Sequence, residues 1–576
     1  MKKLLLPILL ALATVSTVPQ EAHAQSSCPS TPPAPVVVTG NITANTTWTR
    51  NNIYLLSGNV AVQAGATLTI EPGTIIKGEK SSKGTLIVAR GARLEANGTA
   101  SQPIVFTSNE APGARRRGDW GGIIILGRSQ ENIAGDPAIE GVTGYNYGPG
   151  VGNAPVLNDN SGTLRYVRIE FPGVLISTNN EINGLTLGGV GSGTTIEYVQ
   201  VSYSGDDSFE WFGGTVNAKY LVAMNALDDD FDTDAGFAGN VQYGLVLRDP
   251  SSADASQSNA FESDNDAQGT NAQPLTAPVF SNVTVILPPP AAGQSLNSLY
   301  RHAMHLRRNT STSVFNSVFS GFPIGLYLQA SNSPAPFPTP NTETNLNSGA
   351  LVLRNNVLAG STTPLQVQAG STLDLAAYFN EASRGNTIYA NSSSLGLNAS
   401  NFNNVDPANA NATINNVAPD YTLPAASPLV AGASFTDAKL AGSFFTTGIY
   451  RGAFGPAGTA NWAQGWTNFN PQITCYNIPG QVLAAKPASA DQVQGLSVAP
   501  NPTAGEALLS FELKRADAAT VRIVDAVGRT VATLEAGRLV AGPQQLALPA
   551  SLKNGVYVAT VTTSETSQTV RFVVAK

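Results

Sequence analysis

Gly65-Ala66-Thr67-Leu68 and Gly91-Ala92-Arg93-Leu94 write one phrase twice, 26 residues apart. Each opens on a glycine turn and runs into a short strand. The text around them keeps that grammar: Val60–Val62, Leu86–Val88, Ile104–Phe106, Ile123–Leu126, Leu164–Ile169, Thr195–Val201, Tyr220–Ala223, Tyr243–Leu247, Val279–Ile286, Val314–Phe319 and Leu351–Leu358. Gly and Asn separate these runs, and no amphipathic helical period stands between Ile53 and Leu440. Repeats in the twenties made of strands and turns predict a parallel β-solenoid, because one coil cannot bury its apolar face without a neighbour. The fold class is all-β: a parallel β-helix followed by a small C-terminal β-sandwich. A β-propeller or tandem sandwiches compete with it, but neither explains echoes at single-coil offsets. At roughly 4.8 Å per coil, about fifteen coils would make a rod on the order of 70 Å long.

The composition is that of a turn-rich extracellular β-protein: 12% charged, 42% hydrophobic, 55 Gly in 576 residues. A net charge of −7 carries no basic footprint and excludes nucleic acid as an expected partner. Arg115-Arg116-Arg117 is a basic cluster expected to be a solvated loop. Three His and two Cys exclude a Cys/His zinc framework. Cys28 and Cys475 lie at opposite ends of the middle region, so a disulfide is open to them only if those ends meet.

Three coils carry an unusual charge load. They read Gly205-Asp206-Asp207-Ser208-Phe209-Glu210, then Leu227-Asp228-Asp229-Asp230-Phe231-Asp232-Thr233-Asp234, then Phe261-Glu262-Ser263-Asp264-Asn265-Asp266. Strand neighbours point to opposite faces. If Phe209, Phe231 and Phe261 stack inward, then Glu210, Asp232 and Glu262 stack outward and solvent-facing, joined by Asp206, Asp228, Asp230, Asp234, Asp264 and Asp266. Like charges roughly 5 Å apart repel by about 3 kcal/mol at an effective dielectric near 20. Shared protons, a hard cation or a basic neighbour can relieve this. The candidate calcium ligands are Glu210, Asp228, Asp230, Asp232, Asp234, Glu262 and Asp264. If Leu306 continues the Phe column, Arg307 sits over Glu262. Candidate catalytic groups are Asp207, Asp229, His305 and Arg307; no organic cofactor is expected. Trp211 shares the parity of Phe209 and is read as core, and Asp119-Trp120 as a turn with a core Trp. Trp462 and Trp466 are read as part of a segment closing the stack.

The two chain ends read as addresses. Met1-Lys2-Lys3, the apolar run Leu4–Val18 and Ala22-His23-Ala24 form a signal peptide over 1–24. Gln25-Ser26-Ser27 lacks the apolar residue expected before a lipidated cysteine. From Leu496, short alternating strands are expected at Ala507–Leu513, Thr520–Asp525, Gln544–Leu548, Val556–Thr562 and Thr569–Val574. With Pro500-Asn501-Pro502, Gly528-Arg529, Gly555-Val556-Tyr557 and terminal Lys576, this text resembles the type A C-terminal sorting domain of the bacterial type IX secretion system. Ala64–Gly78, Asp119–Gly127, Glu181–Gly214 and Pro278–Val283 resemble a family of secreted Bacteroidota proteins of unestablished activity, which implies a right-handed parallel β-helix joined to the sorting domain. The resemblances imply export by the type IX machinery, with its outer-membrane sorting apparatus as partner, and attachment at the cell surface. The expected division is 25–52 as N-terminal cap, 53–477 as β-helix, 478–494 as linker and 495–576 as sorting domain.

The expected role is adhesion or binding of an extracellular glycan. The alternative is a polysaccharide lyase or glycoside hydrolase using the acidic face. Gly205-Asp206-Asp207 is faintly similar to the paired-Asp motif of polygalacturonases, but the Gly-His-Gly and Arg-Ile-Lys signatures of that family are missing.

Overall fold

The computed structural model describes residues 28, 32–177, 180–290, 293–398, 420–481, 493–514, 516–525, 529–563 and 567–576. The predicted signal peptide lies outside them.

Short β-branched runs pair in parallel from coil to coil and enclose one apolar core. One inward column follows the pairing Gly40–Val60–Leu86–Ile123–Leu185–Phe209–Phe231–Phe261–Met304–Leu326–Leu365. A second runs Trp48–Ile70–Ala96–Leu164–Ile196–Ala218–Val241–Phe280–Val314–Leu353. A third runs Tyr54–Ile76–Phe106–Ile169–Val201–Ala223–Val246–Val285–Phe319–Leu358–Ile388. The chain is therefore a parallel β-helix. It stacks eleven rungs on its first column, not fifteen, and at about 4.8 Å per rung the stack is roughly 50 Å long. Long insertions consume the difference. Two short helices, Thr342–Ser348 and Leu375–Asn380, also interrupt the β pattern.

The corner between two of these faces is set by residue type. Tyr166, Tyr198, Tyr220, Tyr243, Asn282, Asn316 and Asn355 occupy equivalent positions on successive rungs, all at φ between 50° and 63°. This left-handed conformation costs an ordinary side chain energy, and Asn tolerates it best. The tyrosines offset the strain by stacking, with ring centroids 4.4, 4.3 and 5.2 Å apart down the column.

After the last coil the chain turns back along the flank of the stack. Gln200 and Gln242 each pair their side-chain amide with the strap's backbone in both directions, at Asn468 and Thr446, with all four contacts at 2.8 Å. Asn282 donates to the carbonyls of Tyr450 and Gly452. Trp466 packs edge-on against Tyr166 and Tyr198, and Trp462 packs on Tyr220. These tryptophans cover the flank of the stack, which corrects the expectation that they close its end. The strap finishes beside the first coils, where Lys77 donates to Asn477 and Cys475 is bonded to Cys28. The ends of the middle region do meet. Arg115 is also not solvated: it is 1% exposed and donates to the carbonyls of Pro471 and Thr474, pinning the strap.

The C-terminal residues build two antiparallel sheets. One contains Val493–Ala499, Leu508–Leu513 and Gly542–Ala547; the other contains Thr530–Leu539, Asp517–Asp525, Gly555–Thr563 and Ser567–Val574. They enclose their own core, including Leu509, Phe511, Val521, Ile523 and Phe572. The sequence reading missed the strands Val493–Ala499 and Thr530–Leu539.

Candidate functional site

The strands Phe209–Phe212, Phe231–Asp234 and Phe261–Ser263 lie side by side in parallel. Phe209, Phe231 and Phe261 are buried, with centroids 5.6 and 5.3 Å apart between neighbours. Strand alternation then turns Glu210, Asp232 and Glu262 to the outer face, in register. The next rung differs from expectation by two residues. Met304, not Leu306, follows Phe261, and His305 sits over Glu262. Arg307 still reaches back to Glu262, and it also holds Asp264 at 2.7 Å.

That outer face is largely covered. Glu210 is only 7% exposed, which overturns the expectation of a solvent-facing ladder. Two insertions roof it. The segment between the strands Ile123–Leu126 and Gly162–Glu170 packs Ile139 and Tyr147 against Ile124, Leu126 and Ile182. It brings Glu140 over the ladder, where Asn183 donates to both Glu140 and Glu210. The loop before Phe261 brings Ser256, which donates to Asp228 at 2.6 Å, and Gln257.

Roof and ladder line a half-open cavity of about 240 Å³. Its carboxylates are Glu140, Glu181, Asp206, Asp207, Glu210, Asp228, Asp229, Asp232 and Glu262; Arg307 is its one basic group. Two triads have ligand oxygens all within 4.8 Å of one another: Asp206, Asp207 and Asp228, and Asp207, Glu210 and Asp232. Asp207 belongs to both. Asp232 Oδ1 is buried and accepts no hydrogen bond among the described residues.

The electrostatics follow from crowding out of water. Burial, then neighbouring carboxylates, raises Asp206, Asp207, Glu210, Asp228 and Asp232 well above the usual carboxylate range. Burial and Glu262 push Asp229 to about 8. Burial pushes Glu262 to about 7 against the opposing pull of Arg307. Burial and mutual repulsion therefore disfavour full ionisation of these groups and favour shared protons or a bound cation.

Asp207 and Asp229 have a second job that the sequence reading missed. Asn183, Asp207, Asp229 and Asn259 stand one above another, and each side-chain oxygen accepts the backbone N–H of the next: Asp207 N–H to Asn183 at 3.3 Å, Asp229 N–H to Asp207 at 2.7 Å, His302 N–H to Asn259 at 3.3 Å. Asn259 N–H closes the series onto Asp229. The signal was present: the two asparagines stand at the same coil offsets as the two aspartates.

Several predicted residues lie elsewhere. Asp230 is fully buried inside the stack, 3.1 Å from Arg248, so it is no ligand on the acidic face. Strand alternation does not reach it, because it precedes the strand, in the turn before Phe231. Asp264 is neutralised by Arg307 and Arg308. Asp234, raised to about 7 by burial and then by Asp264, does not line the cavity. Asp266 accepts from Gln268 and Thr270 and shapes its own loop. His305 also lies outside the cavity lining. It stacks with Tyr327, and burial drives it down to about 3, so it is neutral at pH 7.

Residues 40–467 match the pectate-lyase-like β-helix domain family, and residues 497–575 match the secretion-system C-terminal sorting domain. The first match covers most of the chain, and the protein belongs to that β-helix family. The tail marks it for export by the type IX secretion system and attachment at the cell surface. No helix among the described residues is long and apolar enough to cross a membrane. A solved structure, full-length tailspike protein 2 of Escherichia coli O157:H7 bacteriophage CAB120, is 10% identical with a TM-score of 0.20. The alignment covers 91% of this chain and 64% of that one, under two thirds of the tailspike. No curated protein matches the chain.

Proposed function

We propose that this surface-attached β-solenoid holds calcium in its acidic cavity and uses that site to bind an extracellular glycan. One observation carries the reading: nine carboxylates face a single arginine around about 240 Å³, with two oxygen triads sharing Asp207. An all-oxygen, irregular donor set suits calcium, which takes 6–8 oxygens and tolerates uneven geometry. Asp206, Asp207, Glu210, Asp228 and Asp232 would hold it, and Asp232 Oδ1 is a buried acceptor with room for such a partner. The ladder gives a further reason. Asparagine would serve the backbone contacts of Asp207 and Asp229 without charge, so the carboxylates are expected to act on something in the cavity. Calcium titration by calorimetry, and a glycan array run with calcium and with chelator, test the reading. Absence of calcium binding would remove the metal; calcium binding without any glycan signal would remove the ligand.

A second reading, a polysaccharide lyase or glycoside hydrolase, is favoured by the concavity of the site and by Arg307 at its wall. Release of reducing ends or of unsaturated uronates from a polysaccharide panel distinguishes it from plain binding. In that case Asp207→Asn would abolish product formation.

A further inference from the structure

The strap carries more than a fold needs. Its partners are distributed over many rungs: Gln242, Asn282 and Thr284, then Tyr220, then Tyr198 and Gln200, then Glu170, then Lys77. Each partner exists in position only once its own coil has stacked. The cysteines then face each other with Cα atoms 5.4 Å apart, after a sequence separation of 447 residues. A disulfide needs Cα atoms within about 7 Å, and in the finished fold the docked strap is what holds this pair within that distance. Around the bond the approach is fixed on both sides. Tyr476, fully buried, donates to Glu170 at 2.7 Å, and Asn477 donates to Cys28 Sγ at 3.2 Å.

We propose that the Cys28–Cys475 bond is a completion checkpoint for export: it closes only on a fully stacked, strapped solenoid, and closure delivers the sorting domain to the first coil. The chemistry is thiol–disulfide exchange with an oxidised dithiol catalyst of the periplasm. The two cysteine thiols give up two protons and two electrons, one S–S bond forms here, and the catalyst leaves as its dithiol. Once closed, the sorting domain is joined to the first coils by residues 482–492, a connection of at most about 40 Å when fully extended. With the bond open and the strap undocked, residues 420–481 add to that leash, up to roughly 200 Å more. The tail is then presented far from the stack it should report on.

The test uses the full chain with two kinds of variant. Gln200→Ala with Gln242→Ala removes the reciprocal amide pairs while leaving both cysteines and the core. Cys28→Ser with Cys475→Ser removes the bond, so that only the strap's non-covalent contacts are left to hold it on the stack. In refolding of reduced protein under a glutathione couple, thiol alkylation and mass spectrometry should show closure lagging behind β-sheet formation by circular dichroism. The amide variant should close several-fold more slowly. In cells, the serine variant should reach the surface several-fold less, and its strap should be cleaved by added protease that spares the wild type. Closure before the sheet forms, closure of the amide variant at the wild-type rate, or undiminished export of the serine variant would each overturn the proposal.

Discussion

Phe231 is the residue on which the site's geometry turns. It touches Phe209, Phe261, Phe280 and Trp211 in the core. Phe231→Ala should cost about 3–5 kcal/mol by opening a cavity in this column, read as a lowered denaturation midpoint. Asp232→Asn, one residue on, should behave in the opposite way. With chelator present it removes a crowded, desolvated carboxyl group and should leave stability equal or higher. With calcium present it should blunt the gain, which for a ligand at a hundredfold excess over Kd is about 2.7 kcal/mol. A Tm that ignores calcium in the wild type would defeat this expectation. The pH dependence has a definite sign. Asp229 at about 8 and Glu262 at about 7 are raised above an unfolded value near 4. Between those limits the folded state binds more protons than the unfolded one, so stability is full at low pH and is lost as pH rises through about 7 to 8. Chelated protein should therefore melt progressively lower from pH 5 to pH 8, and calcium should flatten that slope.

Among the elements, the strands were readable and their covering was not. The in-register Phe column and its outward carboxylates follow from period-two alternation, which a single sequence displays. The rung after Phe261 shows where this stops. Slipping from Leu306 to Met304 moves the strand by two residues and preserves every in–out assignment, so alternation cannot tell the two apart. Asp230 fails for the converse reason: it lies in a turn, where alternation does not apply. The roof was invisible because its contacts are non-local. Nothing near Glu140 announces that it will meet Asn183 and Glu210. The Asn183–Asp207–Asp229–Asn259 ladder makes a prediction at this scale. Asp207→Asn and Asp229→Asn keep the acceptor each next coil needs, so both should fold and melt no lower than wild type in chelator. Asp207→Ala should lose the hydrogen bond to Asp229 N–H and cost about 1–3 kcal/mol. Equal Tm values for the Asn and Ala variants would show that the ladder contributes nothing.

Across the whole molecule, the solenoid and the tail have separate cores. Deleting residues 495–576 should leave the β-helix folded, by circular dichroism and an unchanged calcium response, yet trap it in the periplasm. Truncated protein found on the cell surface would contradict the address read from the tail.

The strap and its disulfide also decide how the molecule bears load. If the proposed ligand is gripped in mid-stack while the cell holds the tail, the molecule is pulled from two points. Without the bond, tension on the tail would enter at the last coil and peel the stack rung by rung, where each hydrogen bond yields in turn. With Cys28 bonded to Cys475, tension passes from the tail across sulfur to the first coil, and the coils beyond the cavity carry none of it. Stretched between a point before Cys28 and its tail, the oxidised chain should lengthen only by what lies outside the 447-residue loop. Reductant should release the rest, on the order of 150 nm of hidden contour at roughly 3.5 Å per residue.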